Sequence, residues 1–327
     1  MEVVVFLLVL GLAAANGAND VPKGVATLAG AGVAKIRVAV LWGTVTTAIG
    51  CLFSLNFAAK MTALFSKGIV SAPPSAGFAV AVLIGTTAWV TLATVLKLPV
   101  STTQALVGSL VGAGVLYASS GVQWAALLTK VVQPMLLSVA IAYAVSFVLV
   151  TVAKALSRTL VKVGAGGAET PPAKRFDVIG VAHWATSGLT SLARGLNDAP
   201  KLVAIGSFAL LPGMNTTWLL VCVTGAMAVG SVAIGSRLAE RLAKDVVSMS
   251  HVEGFLANLT TATLVGAGAS QGWPMSTTQV AVGAISGCAG RDVSRLKLKT
   301  LRDFGVAWLV TPLFGAAVAA LAFLVVG

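Results

Sequence analysis

Two short polar motifs interrupt an otherwise apolar chain of 327 residues, and the first contains side chains of types that can bind ions. This motif, NDVPK at 19–23, places an amide, a carboxylate and an ammonium group within five positions, and it recurs 178 residues later as NDAPK at 197–201. A carboxylate at the centre of a bilayer costs at least about 2.5 kcal/mol. An acid inside an apolar segment therefore needs a partner or a function.

Two interpretations of these acids are open. In the functional one, each Asp and the Asn before it form a site for a small hard cation such as sodium, or carry a proton. The residues of this predicted cation site are Asn19, Asp20, Asn197 and Asp198. In the structural one, each Asp only pairs with the lysine three positions later, because a helix brings such side chains together. Recurrence at two related positions favours the functional interpretation.

The second motif, PVSTTQ at 99–104, recurs 175 residues later as PMSTTQ at 274–279. Proline disfavours helix in the residue before it, so a new helix is expected to begin at each Ser-Thr-Thr-Gln. Ser and Gln at this spacing form a capping box, but the Thr hydroxyls and spare backbone N–H groups remain at a helix end that attracts anions. The predicted oxyanion-binding residues are Ser101, Thr102, Thr103, Gln104, Ser276, Thr277, Thr278 and Gln279, with Lys23 and Lys201 supplying positive charge.

The elements that must position these motifs are membrane helices. The chain is 57% hydrophobic and 10% charged, which is too apolar for water-soluble domains. We therefore predict an all-α, multi-pass protein of a cell membrane, surrounded by a lipid bilayer. The formal charge of +12 lies mostly between apolar runs, as membrane topology requires, so nucleic acid is not expected as a partner. About ten transmembrane or re-entrant helices are predicted near 2–33, 38–58, 76–95, 101–117, 131–153, 178–211, 216–235, 252–270, 276–289 and 304–326.

Both motifs recur in the same order, which indicates an internal repeat. We divide the chain into a first repeat at 1–163, a polar cytoplasmic linker at 164–177 and a second repeat at 178–327. Five passes in each half force the second repeat to be inverted relative to the first. With both termini outside, fifteen Lys and Arg residues lie in inside loops and three in outside loops, which is the bias expected of this orientation.

The residues around the first motif predict a helix that is broken partway across the membrane. Gly17 and Pro22 separate two apolar runs there, and the second half repeats this pattern. Arg194 aligns with Asn16 at the offset of 178, and it could bind an oxyanion or pair with backbone carbonyls. The three cysteines lie in apolar runs, so no disulfide, metal or resident cofactor is predicted beyond a coupling sodium ion.

The quoted motifs resemble those of the inorganic phosphate transporter (PiT) family. GANDV and PVSTT, repeated here as GLNDA and PMSTT, are similar to its paired Gly-Ala/Ser-Asn-Asp-Val-Ala-Asn and Pro-Val-Ser-Thr-Thr-His signatures. The resemblance implies an inverted-repeat transporter, not an enzyme, that takes up phosphate with sodium or protons. It places the cation role on the Asn-Asp pairs and the anion role on the Ser-Thr-Thr tips. The alternatives are a sulfate permease of the same fold and an oxyanion-selective channel; a homo-oligomer is left open.

This chain departs from the family pattern at both motifs. Lys23 and Lys201 stand where the family has Asn, and Gln104 and Gln279 stand where it has His. Gln hydrogen-bonds an oxyanion but does not titrate near neutral pH. Our hypothesis is that each lysine supplies the positive charge that other members obtain from a bound cation. Phosphate or sulfate as substrate, and sodium or proton as coupling ion, both remain open at this point.

Overall fold

The structure is a computed structural model that describes residues 1–57, 59–71, 75–118, 121–164, 178–245, 249–290 and 292–327. Within these ranges the chain is helical apart from turns and an isolated bridge between Val70 and Val122. The predicted all-α class is therefore confirmed. Residues 165–177 of the predicted linker lie outside the described residues.

Ten helices of 11 to 32 residues coincide with the ten predicted apolar stretches. In the first half these are α1 (Glu2–Gly30), α2 (Ile36–Phe57), α4 (Ala76–Val95), α5 (Thr102–Tyr117) and α7 (Gln133–Gly164). In the second half they are α8 (Val178–Gly206), α9 (Thr216–Asp245), α10 (His251–Gln271), α11 (Thr277–Gly287) and α12 (Leu298–Val326). Two short helices, α3 (Ala59–Ala63) and α6 (Trp124–Leu127), each continue into one turn of π-helix.

Six helices among the described residues are long and apolar enough to cross a membrane: α1, α2, α4, α9, α12 and the run from α6 through α7. The outward surface of the molecule carries many large apolar side chains, which is the surface that lipid requires. Examples that are more than half exposed are Leu7, Leu41, Leu137, Leu309, Leu313 and Leu321. The polar residues of both motifs are buried instead, so this is an integral membrane protein with a polar cluster inside an apolar core.

The prediction of broken helices is wrong: α1 and α8 are continuous through Pro22 and Pro200. A proline removes one intrahelical hydrogen bond, and neighbouring helices compensate for such a loss within a membrane protein. In α1 the neighbour is α9, which packs against Gly17 before the proline, against Pro22 itself and against Gly30 after it. At 29 residues, α1 is about 44 Å long and reaches across the whole bilayer.

Glycines let the long helices pack with their backbones in contact. A Cβ on Gly17 would overlap the carbonyl of Met227, and a Cβ on Gly230 would overlap the carbonyl of Ala14. These two glycines therefore set the distance between α1 and α9. Small residues at helix interfaces are the usual means of close approach in membranes, where helices gain little from the hydrophobic effect.

Equivalent glycine contacts recur between α2 and α8. Gly195 of α8 faces the carbonyl of Thr47, and Gly50 of α2 faces the carbonyl of Leu192. Each of these residues lies 178 or 180 positions from its counterpart in the α1–α9 contact. The contact of α5 with α12 at Gly108 and Gly112 recurs likewise between α11 and α7, at Gly283 and Gly287. The two halves thus use equivalent positions to pack against each other.

We predict that Gly17→Ala and Gly195→Ala destabilise the protein, because the added methyl group overlaps a backbone carbonyl that cannot rotate away. Overpacking of this kind costs about 1–3 kcal/mol. Thermal unfolding of the purified variants in detergent measures the effect. Gly11→Ala on α1 and Gly225→Ala on α9 are matched controls with no atom within 4 Å of the added Cβ. Equal unfolding temperatures for all four variants would contradict the proposed packing.

Candidate functional site

The two Ser-Thr-Thr-Gln segments begin helices α5 and α11, as predicted. Ser101 Oγ accepts a hydrogen bond from the backbone N–H of Gln104 at 3.2 Å, and Ser276 Oγ accepts one from Gln279 at 3.3 Å. Both serines are therefore N-caps. The glutamine side chains do not complete the predicted capping box: the Oε1 atoms of both are buried without a partner among the described residues.

The asparagines of the first motif hold the two tips in place. Asn19 Oδ1 accepts from the backbone N–H of Val100 at 3.2 Å, and its Nδ2 donates to the carbonyl of Leu98 at 3.0 Å. Asn197 does the same in the second half, accepting from Met275 N–H at 3.1 Å and donating to the Met275 carbonyl at 3.0 Å. Each amide therefore fixes the segment before a tip to α1 or α8. Their predicted role as cation ligands stays a prediction.

Each aspartate pairs with the lysine three positions later. Lys23 Nζ donates to Asp20 Oδ1, and Lys201 Nζ lies 3.1 Å from Asp198 Oδ1. All four side chains are at most 4% exposed. The structural interpretation of the motif is therefore present in the geometry, at the helical spacing that the sequence indicates. It does not describe everything that the lysines contact.

Each lysine also reaches the tip that belongs to the other half of the chain. Lys23 Nζ donates to Thr278 Oγ1 at 2.6 Å, and Lys201 Nζ donates to Thr103 Oγ1 at 2.6 Å. Lys23 Nζ further donates to the carbonyl of Val100 at 2.6 Å. The ammonium group of Lys23 is thus bonded to three oxygens from three different segments. A small hard cation is also bound by oxygen atoms in this way.

The two tips contact each other directly. Thr103 Oγ1 donates to the carbonyl of Met275 at 3.2 Å, and Thr278 Oγ1 donates to the carbonyl of Val100 at 2.8 Å. Two of the hydroxyls that the sequence assigns to an anion, those of Thr103 and Thr278, therefore bond to the opposite tip in this structure. Ser101, Thr102, Ser276 and Thr277 are buried beside them. The predicted anion residues and the predicted cation residues lie in one polar cluster.

The two halves of this cluster differ in what surrounds the Oδ2 atom of each aspartate. Asp20 Oδ2 accepts from Asn16 Nδ2 at 2.5 Å and from Thr102 Oγ1 at 2.9 Å. Asp198 Oδ2 has no partner among the described residues. The residue at the position of Asn16 in the second half is Arg194, and its Nη2 donates to the hydroxyl of Thr47 at 2.7 Å instead.

Sequence reasoning missed some residues of the site. Asn16 carries a signal, since it lies four positions before Asp20 on the same helix face. Thr94, which accepts from Asn19 Nδ2 at 2.9 Å, lies on a different helix and carries no sequence signal. Glu253 is a third buried acid, at 4% exposure, but it belongs to the N-cap of α10 and pairs with Arg295 away from the cluster.

The arrangement suits an oxyanion. Hydroxyl groups, two ammonium groups and two helix N-termini converge in the buried interior, where charge-assisted hydrogen bonds are strong. Among the described residues, no three His, Cys, Asp or Glu side chains gather into a metal-binding group. Positive charge in the cluster is supplied by side chains of the chain itself.

Comparisons with known proteins show relatives of this chain. The chain is 28% identical over 334 residues to a probable low-affinity inorganic phosphate transporter of Mycobacterium leprae, covering 97% of this chain and 77% of that protein. It is 31% identical over 312 residues to one of Mycobacterium tuberculosis, covering 92% and 72%. A solved structure described as the sodium-dependent phosphate transporter superimposes with a TM-score of 0.84 at 21% identity, covering 99% of this chain and 98% of that one. That similarity shows the fold.

The sequence model of the phosphate transporter family matches residues 16–319, a range that includes both copies of each motif. The match covers most of the chain, and the two mycobacterial relatives align with 97% and 92% of it. The resemblance inferred from the motifs is thereby confirmed, and the chain belongs to the phosphate transporter family.

Proposed function

We propose that the protein is a secondary transporter that carries inorganic phosphate through the membrane by alternating access. Family membership and the names of its relatives support phosphate as the substrate. The observation that carries the proposal is the crossed arrangement of the cluster, in which a lysine of each half bonds to the Thr tip of the other. A site built from both halves opens or closes when the halves move relative to each other.

The mechanism further requires that the second half be an inverted copy of the first. Equivalent positions of the two halves form the glycine contacts between α1 and α9 and between α2 and α8, which supports a repeat. The odd number of predicted passes and the basic-residue bias support the inversion. Rocking of one inverted repeat against the other exposes a site at the midplane to each side in turn.

Phosphate is proposed to bind between the tips of α5 and α11. In this structure the hydroxyls of Thr103 and Thr278 donate to carbonyls of the opposite tip, so binding exchanges these bonds for bonds to phosphate oxygens. The same lysines that contact the hydroxyls then lie beside the anion. Because the Asn amides hold each tip to α1 or α8, the tips separate only with the halves that carry them.

The lysines bear most directly on whether phosphate uptake is coupled to a cation. A buried anion needs positive charge nearby in a medium of low dielectric constant. Lys23 and Lys201 place two ammonium groups beside the proposed site, each bonded to the Asp that would otherwise attract a cation. We propose that these fixed charges replace bound sodium, and that phosphate uptake by this chain needs no sodium gradient.

Radiolabelled uptake into liposomes tests the function. The purified protein is expected to take up phosphate saturably, faster when unlabelled phosphate is present on the opposite side. Protein-free liposomes are the control, and sodium and two pH values are varied separately to identify the coupling ion. Sulfate uptake equal to that of phosphate would instead favour a sulfate permease. Uptake without acceleration from the opposite side would favour a channel.

We predict that Thr103→Val and Thr278→Val weaken phosphate binding while preserving the fold, because each keeps the side-chain shape and the Ser cap. Loss of a hydrogen bond to a charged ligand costs about 1.5–3 kcal/mol, or about tenfold or more in KM. Thr86→Val is the matched control: its buried hydroxyl donates only to the carbonyl four residues earlier in α4. An unchanged KM in both tip variants would show that the motif serves as a helix cap alone.

We predict that Lys23→Asn converts uptake from sodium-independent to sodium-dependent, since it removes the fixed charge and leaves the Asp20 carboxylate free for a cation. Uptake at fixed membrane potential, with and without sodium, measures the change. Lys35→Asn removes an equal charge from an exposed position and is expected to behave as wild type. If the pair were only structural, Lys23→Asn would cost about 3–5 kcal/mol in stability and gain no sodium response. Strong sodium dependence already in the wild type would also refute the hypothesis.

A further inference from the structure

Arg194 is the largest fully buried side chain of the described residues, at 1% exposure. A guanidinium group carries five N–H donors and stays charged at any physiological pH. Here Nη2 donates to Thr47 Oγ1, while Nε and Nη1 have no partner among the described residues. A buried charge with unused donors is costly unless something supplies acceptors. The pairing of Arg194 with backbone carbonyls, one of the two alternatives left open by the sequence, is not found among the described residues.

The charges around Arg194 do not balance. Asp20 is bonded to Lys23 and Asp198 to Lys201, so each of these pairs is neutral. Arg194 lies within electrostatic range of both carboxylates but forms a hydrogen bond to neither. The buried cluster of five charged side chains therefore carries one surplus positive charge, and Arg194 is the group that carries it.

Comparison with the first half shows what Arg194 is not doing. At the equivalent position Asn16 donates from Nδ2 to both Asp20 and Thr102, and so holds its carboxylate to the neighbouring tip. Arg194 leaves Asp198 Oδ2 unbonded and is turned toward α2. The arginine thus does not serve to fix the aspartate of its own half.

The position of Arg194 is set by rigid elements. Gly195 packs on the carbonyl of Thr47, and Gly50 packs on the carbonyl of Leu192, so the backbones of α2 and α8 are in contact just before and just after Arg194 in α8. This contact brings the Thr47 hydroxyl to Nη2 and orients the group. Because Arg194 lies four residues before Asp198, it is about 6 Å from that residue along the helix axis.

We propose that Arg194 binds the transported oxyanion, as a subsite on α8 that adds to the tips of α5 and α11. The unused donors of the guanidinium then bond to oxygens of a tetrahedral anion such as phosphate, and the anion neutralises the surplus charge. This inference rests on the proposed function. It makes the two halves of the protein unequal, since the first half has a neutral amide at the equivalent position.

Kinetics of three variants test the role. Arg194→Gln removes the charge and is expected to raise the KM for phosphate at least tenfold, while Arg194→Lys, which keeps the charge, is expected to raise it less. Arg302→Gln is the matched control, because Arg302 is exposed and pairs with its neighbour Asp303. A merely structural role predicts a lower unfolding temperature in Arg194→Gln with the same KM in the folded fraction, and that result would overturn the inference.

A measurement on the unmutated protein removes any dependence on the folding of the variants. An arginine-specific dicarbonyl reagent is applied to the purified transporter with and without inorganic phosphate, and the modified peptides are quantified by mass spectrometry. Phosphate is expected to slow modification of Arg194 and to leave that of Arg302 unchanged. Equal modification of Arg194 with and without phosphate, in protein that takes up phosphate, would refute the inference alone. Protein that takes up no phosphate in liposomes would refute the proposed function.

Discussion

The ammonium groups of Lys23 and Lys201 connect the two halves of the protein inside its apolar interior. Each group bonds to an aspartate of its own helix and to a threonine at the tip of the opposite half. In a medium of low dielectric constant such bonds are strong, and leaving any member unpaired is costly. The placement of α1, α8 and both tips therefore follows from satisfying these two groups together.

The glycine contacts bring the helices close enough for these hydrogen bonds and ion pairs to form together. Side chains at Gly17 or Gly195 would push α1 from α9, or α8 from α2, and would separate the aspartates from the tips they face. The polar cluster and the close packing thus support each other: glycines bring the backbones together, and the buried ion pairs fix which positions meet. The outer surface around the helices carries many large exposed apolar side chains, as contact with lipid requires.

The sequence predicted the parts of this architecture that local chemistry decides. Apolar runs and prolines located the ten helices, Ser101 and Ser276 were recognised as helix caps, and the spacing of Asp20 and Lys23 indicated their pairing. Sequence reasoning failed where contacts with other helices determine the structure. Packing on α9 keeps α1 continuous through Pro22, and the bonds from each lysine to the opposite tip join residues far apart in the chain. No local pattern contains that information.

The pairing of each lysine with an aspartate on its own helix also has a consequence for synthesis. α1 packs against α9, which is made only after some two hundred further residues, so α1 enters the bilayer long before its partner exists. An isolated carboxylate would oppose that insertion. With Lys23 one turn away, the charge is already compensated within α1 itself. Arg194 has no such partner on α8, but its hydrogen-bond acceptor Thr47 lies on α2 and is already in the membrane when α8 arrives.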